Sequence, residues 1–170
     1  MEIPAISQLE NTPEILRLLL SGITEQQTLW NPEPGRWSIA EVLEHMSHTE
    51  GHYFRRCIED IATTDDPELV PYDEKSFAAE GRYSGRNAED SFDHFEEQRE
   101  NNISFLNALP VQAPDRTGQH PALGILTIGQ ILNEWAFHDL GHIRQIAELV
   151  RALNYYPAMG AICSQYRIRP

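Results

Sequence analysis

The feature that most constrains this chain is one long helical pattern near its end. Thr127-Ile128-Gly129-Gln130 reads as a capping box, in which a threonine hydroxyl and a glutamine side chain satisfy free backbone N–H groups reciprocally. From there Ile128, Leu132, Trp135, Ile143, Ile146 and Val150 recur at helical spacing, and the helix is predicted to run to about Leu153. A stripe of that length must be buried against other elements, and no convincing run of strands is present to receive it.

Asp139 falls near the middle of that apolar stripe. At about 100° per residue, His142 lies about 60° to one side of it and His138 about 100° to the same side. The two imidazoles sit one turn apart on one flank, a spacing at which a single cation can be gripped twice. A carboxylate on a face that should be apolar needs a partner. An imidazole N–H from across the molecule would serve, and so would pairing with Arg144, Arg99 or a helix terminus.

Three further helices are predicted upstream. Thr12-Pro13 reads as an N-cap followed by a proline at the first helical position, opening a short helix to about Gly22. Asn31-Pro32-Glu33-Pro34-Gly35 breaks the chain, and Ser38-Ile39-Ala40-Glu41 starts a second helix with another capping box, reaching about Ala62. Residues 63–86 hold Pro67, Pro71, Gly81 and Gly85 without a sustained period, so a long connection that crosses the bundle is expected. Asn87 caps a third helix through Phe92, Phe95, Ile103, Phe105 and Leu106, ending before Pro110. Residues 110–124 read as loop with a short extended piece around Leu123 to Leu126, and Asn154 to Pro170 as a non-helical tail packed across the bundle. Four helices with one apolar face each give an all-α fold, a four-helix bundle with long connections.

At 170 residues the chain suits one domain with a real core and is short for two. Thirteen Lys+Arg against twenty-six Asp+Glu give a formal charge of −13, which repels phosphate backbones and anionic lipid heads. No nucleic-acid partner and no membrane association are expected. The Met1-Glu2-Ile3-Pro4 start has no basic region followed by an apolar one, so a soluble cytoplasmic protein is the expectation. Cys57 and Cys163 are too few for a disulfide framework and lack metal-ligand spacing; Cys57 reads as core and Cys163 has no assigned role.

The second helix carries His45, His48 and His52. Its stripe is Ile39, Val42, Leu43, Met46, Tyr53, Cys57 and Ile61, with His45 and His52 on one flank and His48 nearly opposite, in solvent. Glu50 falls inside the stripe, a second charge on an apolar face. Spacing does not choose between His45 and His52. Trp37 and Trp135 read as core residues, and His94 and His120 as surface residues.

Trp37-Ser38-Ile39-Ala40-Glu41-Val42-Leu43-Glu44-His45 with Thr49-Glu50, followed about ninety residues later by His138-Asp139-Leu140-Gly141-His142-Ile143-Arg144-Gln145, resembles the DinB/YfiT-like family of metalloenzymes. The resemblance runs from Pro34-Gly35-Arg36-Trp37 to the end of the fourth helix. It implies a four-helix bundle, often dimeric, in which one histidine of the second helix and a pair from the fourth bind a divalent metal. On that pattern the ligands are His45, His138 and His142. His48 departs from it, standing where many relatives carry an acidic residue.

Three neutral imidazoles suit zinc, nickel or another late first-row metal and leave coordination positions open, as in catalytic sites. Asp139, Glu50 and Gln145 are the candidates to support the ligands, where a carboxylate or amide oxygen accepts a spare ring N–H. The resemblance further implies transfer of a low-molecular-weight thiol to a small electrophilic substrate, since a metal keeps a thiol deprotonated at neutral pH. The alternatives are hydrolysis through metal-activated water, or a metal-binding stress-response protein without catalysis. A small-molecule substrate and a homodimer complete the expectation.

Overall fold

The computed structural model describes residues 4–80 and 83–168; Met1 to Ile3, and Gly81 in the connection of residues 63–86, lie outside the described residues. Four long helical pieces dominate: α1 (Pro4–Leu20), a helix assembled from α3 (Ile39–Thr49), a π-helical segment (Glu50–Arg55) and α4 (Arg56–Thr63), then α6 (Ala88–Ala108) and α7 (Ile128–Val150). Short helices α2 (Glu25–Thr28) and α5 (Glu74–Ala79) lie in the connections. α1 packs mainly on α7 and α6, and α3 packs on the same two. The two helices nearest in sequence are therefore not the principal neighbours, which only long connections allow.

Three helix starts follow directly from their residues. Ser38 and Glu41 close one capping box and Thr127 and Gln130 another, while Asn87 accepts from the backbone N–H groups of Glu89 and Asp90. The start of α1 is a correction, because Thr12 is not its N-cap. The helix begins at Pro4 and carries Pro13 in its interior, with the Thr12 hydroxyl donating back to the Gln8 carbonyl at 3.0 Å. An interior proline leaves the carbonyl four residues earlier, that of Leu9, without its helical donor. Arg99 Nη1 donates to that carbonyl at 2.7 Å instead.

The extended piece expected around Leu123 to Leu126 is present, paired with a second strand from residues read as loop. Thr117–His120 (β1) pairs antiparallel with Gly124–Thr127 (β2), with Thr117 opposite Thr127 and Gly124 in the left-handed region at the turn. Gln119 exchanges backbone bonds with Pro67 and Leu69, so this hairpin pins down the connection that follows α4. The C-terminal segment Tyr156–Gln165 has no buried residue and packs chiefly on the π turn Arg151–Tyr155 before it, rather than across the bundle.

The core lies in two apolar clusters. One holds Leu9, Phe54, Ile58, Ile61, Ile128, Leu132 and Trp135; the other holds Leu16, Ile39, Leu43, Met46, Phe95, Ile146 and Leu149. Between them in sequence order on every long helix comes a polar layer. Arg99 Nε and Nη2 donate to the two oxygens of Glu50 at 2.6 and 2.8 Å, and its Nη1 and Nη2 to Asp139 at 2.7 and 3.2 Å. Asn102 and the Trp135 indole N–H add donors to Glu50. Among the described residues no helix is long and apolar enough to cross a membrane.

Candidate metal centre

His45, buried on α3, faces His138 and His142 on α7. Nε2 of His138 lies 3.0 Å from Nε2 of His45 and 3.1 Å from Nε2 of His142, and one ring nitrogen from each of the three falls within 4.8 Å of the others. Three nitrogens bound tetrahedrally at about 2.05 Å from one zinc-sized ion stand about 3.3 Å apart, so the donor set fits such an ion. Among the described residues this is the one group of three or more His, Cys, Asp or Glu side chains close enough to share a cation.

Protonation favours the same use. Burial, then the neighbouring His142 and His138, lowers the His45 pKa to about 2; burial, then His142 and Arg99, lowers that of His138 to about 3. Both rings are held in the neutral form that a metal ligand needs. His142 Nδ1–H donates to Gln145 Oε1 at 3.0 Å, which turns its Nε2 lone pair toward the other two rings. Among the described residues, the buried Nδ1 atoms of His45 and His138 have no such partner.

The walls are aromatic. Phe54 stacks on Trp135 at 5.1 Å and sets its ring edgewise to His138. Trp37, at the lead-in to α3, lies 4.9 Å from His45 and stacks on His142 at 6.4 Å, so it borders the histidines as well as the core. Tyr72 and Tyr83 arrive from the connection between α4 and α6, joined hydroxyl to hydroxyl, with Tyr83 edge-on to His45 at 5.4 Å. Ser84 donates to Glu41 at 3.1 Å, one turn before His45, and thereby seats that connection over the site.

Several sequence expectations are corrected here. Of the two readings open for Asp139, the ion pair with Arg99 is the one found, not the imidazole: both its oxygens are held by Arg99, as Glu50's are by Arg99, Asn102 and Trp135. His48 is partly buried rather than solvated; its Nδ1 bonds the Tyr72 hydroxyl at 3.2 Å and its ring stacks on exposed His52 at 4.2 Å. His120 is buried rather than on the surface, while His94 is exposed and bonds the Ser47 hydroxyl. Tyr72 and Tyr83 have no counterpart in the sequence reading.

Residues 8–146 match the DinB superfamily. The chain belongs to that family. A protein of Oceanobacillus iheyensis named "Putative metal-dependent hydrolase" is 25% identical over 150 residues, covering 88% of this chain and 86% of the relative. "Putative metal-dependent hydrolase YfiT" of Bacillus subtilis is 24% identical over 151 residues, covering 88% and 84%. The solved structure of Bacillus subtilis YfiT, described as having an unusual four-helix bundle topology, matches with a TM-score of 0.79 at 24% identity over 89% of this chain and 87% of its own. That likeness shows the bundle fold. The relatives' names speak of hydrolysis, so they back the hydrolytic alternative over thiol transfer.

Proposed function

We propose that this member of the DinB superfamily is a metal-dependent hydrolase of a small molecule, with His45, His138 and His142 holding one divalent cation, zinc or nickel. The observation that carries the reading is the convergence of three ring nitrogens within 4.8 Å, two of them on rings that burial keeps neutral. A cation there supplies Lewis acidity, polarising a scissile carbonyl and making water nucleophilic near neutral pH. The chain's own part is positional. Gln145 fixes the His142 tautomer, Phe54 packs against the edge of His138, and Trp37, Tyr72 and Tyr83 exclude bulk water from His45. The Tyr72–Tyr83 hydroxyl pair supplies hydrogen-bonding groups at that wall.

A cytoplasmic location and self-association as a homodimer belong to the same proposal. Phe137 and Leu140 on the outer side of α7, 79% and 49% exposed, are the apolar residues that such contact would cover. Sedimentation at micromolar concentration showing only the 19.4 kDa species would remove the dimer from it.

The test of the main reading is metal content after chelation and reloading, in the parent and in His45→Ala, His138→Ala and His142→Ala, followed by panels of esters and amides. One bound equivalent in the parent, its loss in each variant, and metal-dependent hydrolysis are expected. Retention of metal in all three variants overturns the site. Turnover of a thiol with an electrophile panel, and of no ester or amide, overturns the hydrolytic reading.

A further inference from the structure

Glu134, His138 and His142 follow one another at four-residue steps on α7. That spacing lays the three side chains along one flank, about 6 Å apart along the axis. Glu134 therefore stands one turn from the histidine cluster, toward the start of the helix.

Two other elements converge on it. Tyr53, buried in the π-helical segment, brings its phenol to the Glu134 carboxylate. The Tyr53 ring lies 4.9 Å from Phe54, which is edge-on to His138, and 5.8 Å from Tyr72, which borders His45. Tyr53 thus adjoins the walls of the histidine site, and Glu134 adjoins Tyr53. The second element is the hairpin. His120 closes β1, 9% exposed, and its Nδ1 accepts from the backbone N–H groups of Ala122 and Leu123, both at 3.2 Å. The electrostatic influence of His120 reaches Glu134, where it favours the carboxylate. Glu134 is exposed, yet its carboxylate meets a buried phenol and lies within the electrostatic reach of a buried imidazole.

We propose that Glu134 is the general base and acid of the hydrolysis at the His45, His138 and His142 site, with Tyr53 and His120 as its positioning residues. The inference rests on the hydrolytic reading above. As the water oxygen bonds to the substrate's carbonyl carbon, one water proton passes to a Glu134 carboxylate oxygen. The bond from that carbon to the leaving nitrogen or oxygen then breaks with its electron pair going to the leaving atom, and Glu134 returns the proton there. Water's second proton stays with the acid product. Burial raises the Glu134 pKa, and His120 and Tyr53 draw it back by favouring the carboxylate, which suits a group that must both take and release a proton.

Glu134→Gln keeps shape and removes the base. Its kcat is expected to fall about 10²- to 10⁴-fold, with parental metal content and an unchanged circular dichroism spectrum. An activity-independent arm follows the Glu134 carboxyl by ¹³C NMR in metal-free protein, assigned by its loss in Glu134→Gln. Tyr53, Cys57 and His120, from facing elements, are the titrating neighbours. The midpoint is expected above the ordinary glutamate value of about 4.3. It should move further up in Tyr53→Phe and in His120→Ala, each of which removes a group that favours the charged form. Parental hydrolysis by Glu134→Gln overturns the inference and leaves the hydrolytic reading standing. A parent that hydrolyses nothing defeats that reading instead. In that case the carboxyl titration still decides, because an ordinary midpoint indifferent to both neighbouring substitutions overturns the inference.

Discussion

Pro13 withholds an N–H from the Leu9 carbonyl, and the Arg99 guanidinium, from a different helix, supplies it at 2.7 Å. The same guanidinium holds Glu50 and Asp139, so one buried cation ties α1, the π-helical segment, α6 and α7 together at mid-bundle. Removing that cation leaves two carboxylates buried without their main partner. Arg99→Met is expected to cost about 3–5 kcal/mol in urea unfolding. The triple variant Arg99→Met, Glu50→Gln, Asp139→Asn, which removes all three charges, should recover most of that loss. Equal destabilisation of single and triple variants would show that the guanidinium acts through shape rather than charge.

The metal-free protein should weaken as the pH falls below the histidine range. His45 and His138 take up protons near 6.5 when unfolded, but only at about 2 and about 3 in the fold. Their folded pKa values are depressed, so the unfolded chain binds more protons between those limits. The stability they confer is present above about 6.5 and is lost progressively as the pH falls toward 3. Urea midpoints of chelated protein at pH 7.5, 6.5 and 5.5 check this, against a His45→Gln, His138→Gln variant in which the drop should be smaller. A parallel pH response in parent and variant would assign the effect to other groups.

The long helices were legible because their starts are local. A capping box and an apolar stripe are written within one stretch, and Ser38, Asn87 and Thr127 each begin a helix as read. Pro13 misled because the donor that makes an interior proline tolerable there comes from Arg99, far away in sequence. Phe54 escaped the stripe of the second helix because the π turn over Glu50–Arg55 inserts an extra residue into the 3.6-residue period. In the site, the His138 and His142 spacing was visible, whereas the choice of His45 over His52 came from the family resemblance. Tyr72, Tyr83 and His120 reach their places through segments without periodicity, and only the folded hairpin and connection bring them in.

The two cysteines should separate by reactivity. Burial, then the charges of Asp60 and Glu134, pushes the Cys57 thiol up to about 11, whereas Cys163 is partly exposed on the C-terminal segment. The thiolate is the reacting species, so Cys57 is expected to be inert at pH 8. Titration with a disulfide reagent should show one fast equivalent per folded chain, lost in Cys163→Ser, and two in denaturant. Two fast equivalents in the folded protein would contradict the burial of Cys57.

Asp139 and Gln145, two of the three residues read from the sequence as supports of the histidines, are expected to separate under substitution. Asp139 stands between His138 and His142 in sequence, yet both its oxygens face Arg99. Gln145, less conspicuous, accepts from Nδ1 of His142. Asp139→Asn should therefore leave metal affinity within a few-fold of the parent while destabilising the metal-free fold by about 3–5 kcal/mol, since it strips Arg99 of a buried charge partner. Gln145→Ala lies outside that layer and should leave the fold nearly untouched, while lowering metal affinity by about 10- to 100-fold through loss of the tautomer lock. Competition with a chelator of known affinity, together with urea unfolding of the chelated proteins, reads both quantities. A large affinity loss in Asp139→Asn with no loss of apo stability would mean that the carboxylate serves the histidines after all, by holding α7 at the rotation that presents them to His45.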